Sequence, residues 1–401
     1  MGTPADYGSR VDKSGIPALT GRRVAIMSWR DTGNPESGGA ENYLLKMAEG
    51  LRDHGAHVTV FTAAYAGAPA RGARDGIDYV RAGGKLSVYA RGMQHLLMRR
   101  LGRVDVVIDV QNGLPFFTRA VTTKPVIVLV HHVHREQWPV VYPGLTGKVG
   151  WWIEHALAPR LYRACQYVAV SQATRQELIG LGVPAEHVAV VHNGSEAADG
   201  QWDVAKTEYP SVCVVGRLVP HKQVEHAIDA AVALRNELPS LKLTVVGDGW
   251  WADELHDYVR THHAEDLVEF TGHVTEDEKQ QIFARSWVKA LPSLKEGWGL
   301  VIGEAGHHRT PTVAYRHAGG TRESIRDGHS GVLVDTDEEF TQALRAVLTD
   351  HSLRARLGEG ALAMSESYTW DNTQKALAHV VGSALRGEMV ATQDEPAPPV
   401  S

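Results

Sequence analysis

The chain reads as an α/β protein built from two doubly wound parallel sheets, and three observations carry that reading. Its 401 residues exceed the size at which a single hydrophobic core is usual. Short apolar runs alternate with longer segments of helical spacing, the pattern of strands joined by crossover helices and therefore parallel. The alternation breaks at the polar stretch 195–210, after Asn193-Gly194, and then resumes.

In the first half the apolar runs place strands at 24–29, 57–62, 105–110, 125–130, 167–170 and 188–191, with helices between them that include 40–52 and 172–181. The second half repeats the plan, with strands near 212–215, 241–246, 268–271, 288–291 and 312–314. The domain reading is a disordered tail at 1–20, a first domain at 21–195, a linker at 196–210, a second domain at 211–368, a final helix at 369–388 and a second disordered tail at 389–401. No stretch approaches the roughly 20 apolar residues needed to cross a bilayer, and residues 1–20 show no secretory signal.

Composition narrows the function class. Hydrophobic content of 43% and charged content of 22% are those of an ordinary globular protein. A formal charge of -6 argues against nucleic acid as the main partner, because a phosphodiester chain needs clustered cations. Cys165 and Cys213 fall in different expected domains and make no disulfide framework, which fits a reducing cytoplasm.

Two stretches carry chemistry. In the first, the strand Trp287-Val288-Lys289-Ala290-Leu291 is closed by Pro292-Ser293 and runs through Glu296, Gly297, Trp298 and Gly299 into a helix starting near Leu300 that carries Glu304. Strand, glycine turn and helix start leave backbone N–H groups at a positive helix end, which suits a diphosphate. Glu304 in the early turns of that helix would bind ribose hydroxyls or simply compensate the dipole, and Glu296 would face a ligand or solvent. In the second, the strand Val212-Cys213-Val214-Val215 leads through Gly216 to Arg217 and Lys222. These two cations follow a strand, where open α/β sheets bind ligands. Beside a diphosphate they would stabilise the charge that develops on a departing nucleoside diphosphate, with no metal required.

These and further motifs, in this order, resemble retaining glycosyltransferase family 4, which has the GT-B architecture of two Rossmann-like domains facing across a cleft. The resemblance runs from about Arg22 to Leu385. Ser37-Gly38-Gly39-Ala40-Glu41 resembles the first glycine-rich loop, Val170-Ser171-Gln172-Ala173-Thr174 a strand end, and Val191-His192-Asn193-Gly194 the stretch before the linker. Val246-Gly247-Asp248-Gly249, Phe270-Thr271-Gly272-His273-Val274 and the Glu296-to-Glu304 signature complete the series.

The resemblance implies transfer of a sugar, with retention, from a UDP- or GDP-linked donor to a hydroxyl acceptor, without a metal or other cofactor. By it Glu296 contacts donor-sugar hydroxyls, Glu304 the ribose, Arg217 and Lys222 the diphosphate, and the backbone at His273-Val274 the base. Gly297, Trp298, Gly299, Leu300 and Val301 would line the donor, Gly38-Gly39 would approach its phosphates, and His131 would lie near the anomeric carbon. A front-face route, in which the leaving phosphate takes the acceptor proton, follows from the family and from the lack of a covalent nucleophile. Trp298 stands where Phe is common and should preserve the loop, whereas Arg309, in place of a glycine, puts the turn after Glu304 in doubt.

Other readings stay open. An epimerase or phosphorylase of the same architecture, or a non-catalytic sugar-nucleotide sensor, would share these sheets. The segment His131-His132-Val133-His134-Arg135-Glu136-Gln137-Trp138 is where acceptor specificity would sit, and His132 with His134 admits a metal reading. Residues 86–103 place Tyr89, Met93, Leu96, Leu97 and Leu101 at helical spacing among Arg91, Arg99, Arg100 and Arg103. That is either a helix packed on the sheet with a solvated basic face or a peripheral contact with an anionic membrane, which would suit a lipid-linked acceptor as readily as a glycan.

Overall fold

The computed structural model describes residues 19–196 and 204–392. The chain divides into two units, one of residues 1–192 with 371–401 and one of 193–370. The first unit is an 8-stranded sheet built from β1 (Arg23–Met27), β2 (His57–Thr62), β3 (Arg71–Arg74), β4 (Ile77–Arg81), β5 (Val106–Gln111), β6 (Val126–Val130), β7 (Gln166–Ala169) and β8 (Val188–Val190), in the order β3-β4-β2-β1-β5-β6-β7-β8. The second is a 6-stranded sheet of β9 (Ser211–Val215), β10 (Lys242–Val246), β11 (Val268–Gly272), β12 (Val288–Leu291), β13 (Thr312–Tyr315) and β14 (Gly331–Val334), ordered β11-β10-β9-β12-β13-β14. Every described pairing between neighbouring strands is parallel except β3 with β4.

Parallel strands covered by helices on both faces must be apolar on both faces. β6 meets this demand, with all five residues buried, and so does β12, although its second residue is a lysine. The strands absent from the sequence reading are β3, β4 and β14, all at or next to sheet edges. The residues of β3 are wholly exposed and show no apolar alternation. Its partner follows through Asp75-Gly76, both at positive φ (50° and 74°), the tight hairpin turn that such a dipeptide favours.

Several expected boundaries move. Leu19 is buried and donates its N–H to the His54 carbonyl at 3.1 Å, so the ordered chain begins inside the expected tail. Residues 390–392, expected to be disordered, lie along β7 and β8: Val390 N–H donates to Gln166 Oε1 at 2.7 Å and Thr392 N–H to the Val188 carbonyl at 3.2 Å. The remaining tail residues, and 197–203 of the expected linker, lie outside the described residues. Residues 204–210 are docked on the second unit rather than spanning open space. Lys206 Nζ donates to the Ser286 carbonyl at 2.7 Å, to the His308 carbonyl at 3.2 Å and to Thr310 Oγ1 at 2.6 Å.

The helix Trp370–Leu385 belongs to the first unit from Asp371 onward. Gln374 Nε2 donates to the Lys46 carbonyl at 2.8 Å, and the Gln374 side chain fills the space left by Gly50. The basic amphipathic segment is shorter than 86–103. Its helix spans Ser87–Leu97, Tyr89 packs on the Phe116 ring at 4.9 Å, and Leu97 is 65% exposed, off the packed face. Among the described residues no helix is long and apolar enough to cross a membrane.

Arg309 keeps the turn that its substitution for glycine put in doubt. It adopts the left-handed conformation at φ 54°, its N–H donates to the Gly306 carbonyl at 2.9 Å, and Thr310 N–H donates to the Ala305 carbonyl at 3.1 Å. A residue with a Cβ is strained there. Arg309→Gly should therefore raise the stability of the second unit by up to about 1 kcal/mol, the left-handed strain relieved less the entropy glycine loses. Urea unfolding followed by tryptophan fluorescence checks this, and a destabilised variant would mean that the exposed Arg309–Glu359 ion pair outweighs the strain.

Candidate functional site

In the second unit the loops that leave the carboxyl ends of β9, β11 and β12 supply most of the expected site. Arg217 follows β9, is exposed, and has no carboxylate partner among the described residues. Lys222 ends the single turn Pro220–Lys222, and its Nζ lies 2.5 Å from Glu296 Oε1. The two loops are joined by backbone as well, Leu294 N–H donating to the His221 carbonyl at 2.9 Å. A small hollow between them is lined by Gly216, Arg217, Lys222, Leu291, Pro292 and Ser293. A second hollow, lined by Ser195, Trp298, Thr312, Ser330, Ser365 and Tyr368, holds none of the charged groups.

Glu296 is held from both sides. Its N–H donates to the Ala318 carbonyl at 2.7 Å and its carbonyl accepts from Gly320 N–H at 3.0 Å. The two loops meet only because residue 320 is glycine, since an added Cβ would lie 2.1 Å from the Gly297 oxygen. Only 10% of the Glu296 side chain is exposed. Burial works to raise the pKa of its carboxyl, and the Lys222 ammonium, with smaller help from Ser293 and Lys289, holds it below the ordinary carboxylate range.

The helix after the turn starts at Leu300 as expected, but it is short, Leu300–Gly306. Gly299 needs its freedom there, standing at φ 85°, whereas Gly297 is not at positive φ and matters for the approach of Gly320. Glu304 falls past the middle of this helix, not in its first turn, so the helix dipole does not account for it. Its partner is Lys279, whose Nζ lies 3.0 Å from Glu304 Oε2 and 2.9 Å from Glu276 Oε2. Burial alone would push the Lys279 ammonium down, and the two carboxylates together hold it above its usual value. The sequence reading missed Lys279, since nothing in Glu276-Asp277-Glu278-Lys279 shows which charge turns toward a helix 20 residues further on.

Trp298 is 5% exposed and sits edge-on to Tyr368 at 4.8 Å, so what it offers a donor is its backbone. Val301 packs into the core and Leu300 is half-buried. At the end of β11 Gly272 stands at φ 67°, and beyond it His273 is exposed and Val274 packs against the apolar cluster of Cys213.

The remaining predicted residues lie in the first unit. Gly38 precedes the helix Gly39–Asp53, and its N–H donates to Glu41 Oε2 at 2.7 Å. The same buried carboxylate takes Arg30 Nε at 3.1 Å. His131 follows β6 directly, with Thr174 Oγ1 donating to its carbonyl at 3.1 Å and the Tyr43 ring edge-on at 5.1 Å. Three expected motifs thus converge on this histidine: the glycine-loop helix, the strand end at 170–174 and β6. Its Nε2 is buried without a hydrogen-bond partner among the described residues. Burial, helped by His134, brings its pKa down to about 4, so the ring is neutral at pH 7.

The histidine-rich segment beside it turns on a residue that sequence did not single out. Glu154, 1% exposed in a π-helical turn at Ile153–Leu157, accepts Trp138 Nε1–H at 2.6 Å and His134 N–H at 3.1 Å, and lies 3.0 Å from His134 Nδ1. His134 Nε2 lies 2.9 Å from Asn112 Oδ1, and His132 Nε2 3.2 Å from Gln137 Oε1. The two rings do face each other at 4.1 Å, but these nitrogens are turned to protein partners, and no group of three potential metal ligands occurs among the described residues.

Two family models match the chain in succession, Glycosyltransferase Family 4 over residues 37–198 and Glycosyl transferases group 1 over 201–364. The chain is 28% identical to a Mycobacterium tuberculosis glycogen synthase over 290 residues, 64% of this chain and 69% of that protein. It is 28% identical to a D-inositol 3-phosphate glycosyltransferase of Stackebrandtia nassauensis over 422 aligned positions, 94% and 95% of the two chains. Among solved structures, a sucrose-phosphate synthase of Thermosynechococcus elongatus superposes with a TM-score of 0.77 at 16% identity, over 92% of this chain and 100% of that one. Anabaena HepE in complex with UDP and glucose superposes with a TM-score of 0.69 at 20% identity, over 90% and 100%. Both superpositions show the shared fold.

Glu154→Gln tests what anchors the histidine segment. The NH2 group that replaces one carboxylate oxygen cannot accept, which leaves a buried N–H without a partner at a cost of about 1–3 kcal/mol. Hydrogen exchange should rise over 132–142 and stay unchanged in the second unit, and unaltered protection of His134 and Trp138 would show that Glu154 does not hold the segment.

Proposed function

From the premise that the chain belongs to glycosyltransferase family 4 of the GT-B type, we propose that it moves a sugar from a nucleoside-diphosphate sugar to a hydroxyl acceptor with retention at the anomeric carbon. Lys222 Nζ at 2.5 Å from Glu296 Oε1 carries this reading, because it joins the expected diphosphate grip to the expected sugar ligand from residues 74 apart in sequence. In this proposal Arg217 and Lys222 take the diphosphate, Glu296 the donor-sugar hydroxyls and Glu304 the ribose.

As the glycosidic bond breaks, negative charge grows on the β-phosphate. Arg217 is already exposed and has no carboxylate partner among the described residues, so it can turn to the phosphate at little cost. Lys222 must share itself between Glu296 and the phosphate, which couples donor binding to the orientation of the sugar ligand. These fixed cations supply the charge that a divalent ion would otherwise supply, so the reaction is proposed to need no metal. His131 is the assigned acceptor-side group in the first unit. Being neutral, its free Nε2 can accept a hydrogen bond from a hydroxyl, and no covalent intermediate is invoked. The leaving phosphate is the proposed base for the acceptor proton.

HepE structures holding UDP, UDP with glucose, and UDP-glucose make a uridine donor the first to try. Glycogen and inositol 3-phosphate, in the names of the relatives, both bear hydroxyls, which supports a hydroxyl acceptor of glycan, glycolipid or glycoside type.

A thermal-shift panel with UDP, GDP, ADP and TDP, run in EDTA on wild type and Arg217→Ala, tests the donor half. Ligand at a hundred times its Kd adds about 2.7 kcal/mol of stability. One nucleotide should give a clear shift that the variant loses, whereas no shift with any of the four would remove the donor reading. Lys222→Ala should lower turnover about a hundredfold or more with an unchanged far-UV circular dichroism spectrum. Undiminished turnover would remove Lys222 from the reaction, and product formation without an acceptor would favour epimerase chemistry.

A further inference from the structure

One charged side chain near the donor site has no place in this scheme. Lys289 is the second residue of β12, an interior strand between β9 and β13, and its relative exposure is 0%. Its neighbours in register are Cys213 on β9 and Thr312 on β13. Val288 and Ala290 point into the main core of the unit, so Lys289 and Leu291 point to the opposite face. There Cys213 packs with Ile282, Phe283 and Ala305, and Leu291 with Ile302. The ammonium is therefore enclosed beneath the helices Glu276–Arg285 and Leu300–Gly306, which carry Lys279 and Glu304. Its strand runs on through Pro292 and Ser293 to Glu296.

Neither Lys289 Nζ nor the adjacent Thr312 Oγ1 has a hydrogen-bond partner among the described residues. A buried ammonium without an acceptor opposes folding, and a Met or Leu would fill the same space without that penalty. A charge kept in such a place is a candidate for function. Cys213 is its register neighbour on β9, and the other charges that act on it are those of Glu296 and Lys222 in the two loops and of Glu304 on the short helix. Lys206 acts on the same thiol.

We propose that Lys289 is a positioning residue of the donor site, a buried cation that keeps Glu296 ionised and in place when the incoming diphosphate draws Lys222 away from it. Without ligand, Glu296 has Lys222 at 2.5 Å. With a diphosphate competing for Lys222, the carboxylate would sit beside added negative charge in a poorly hydrated place, where it tends to take up a proton and stop accepting hydrogen bonds from sugar hydroxyls. A cation below it that no ligand can reach removes that tendency. The proposal rests on the transferase reading above and adds a residue to it.

Lys289→Met, with Lys289→Leu as a second packing variant, tests it through two readouts. The first is thermal stability against pH. Burial brings the Lys289 pKa down from 10.5 to about 8, so the unfolded chain holds this proton more tightly than the folded one. Wild type is then penalised below about pH 8, and the penalty fades as pH rises through the window up to 10.5. Both variants should melt higher than wild type at pH 7, with the gap closing above pH 8.

The second readout is the ratio of Kd for UDP-glucose to Kd for UDP, or for GDP-mannose to GDP if the guanine pair is the one that binds. Loss of a residue that positions a ligand-binding group costs about ten- to a hundredfold. That ratio should rise by such a factor in both variants, while the bare nucleotide binds within about twofold of wild type. A raised melting temperature with an unchanged ratio would make Lys289 a structural remnant and overturn the proposal, as would variants less stable than wild type at pH 7. If wild type binds neither nucleotide nor sugar nucleotide, the transferase reading itself has failed and the proposal goes with it.

Discussion

Glu296 has to remain a carboxylate where water hardly reaches it, and the Lys222 ammonium 2.5 Å away is what permits this. Much of the second unit can be understood as the means of bringing these two groups together. They sit at the ends of β9 and β12, adjacent strands of a parallel sheet, so both loops emerge on the same edge. The loop of Glu296 is then pinned by backbone hydrogen bonds to residues 318 and 320, a contact that the missing side chain of Gly320 makes possible. Geometry comes from backbone and charge from side chains, and neither alone would hold a buried carboxylate in one orientation.

The first unit meets the same constraint with different residues. Glu41 is buried and satisfied by Arg30 and the Gly38 N–H, and Glu154 by His134 and Trp138. Each of these carboxylates fixes a segment singled out in the sequence, the glycine-rich loop by its resemblance to the family and the histidine-rich stretch by its departure from it. Among the described residues Lys289 departs from this pattern, since its buried Nζ has no hydrogen-bond partner.

Much of the architecture was legible because parallel sheets write a plain pattern. Interior strands such as β6 and β12 are short apolar runs, and their limits in the structure fall within a residue or two of those read from the sequence. Edge strands do not have to be apolar on both sides, so Arg71–Arg74 left no trace in the pattern and Gly331–Val334 was passed over. The polar stretch around 195–210 marked a change of domain but concealed Lys206, whose polar head is taken up by two carbonyls and a hydroxyl of the second unit. The run from 389 onward read as disordered from its composition, and hydrogen bonds to Gln166 and Val188 order its first residues.

By itself the sequence determined the two-sheet plan and the family, and it singled out Arg217, Lys222, Glu296 and Glu304, because hydrophobic periodicity and motif spacing are local properties of the chain. Tertiary structure alone decided which charge meets which. Lys222 with Glu296, Lys279 with Glu304 and Glu154 with Trp138 are pairs made by loops and helices that converge in space, and the interaction of two charges depends on their distance and on the water between them. It also decided that Lys289, one letter in an apolar run, is fully buried with no hydrogen-bond partner for its Nζ among the described residues.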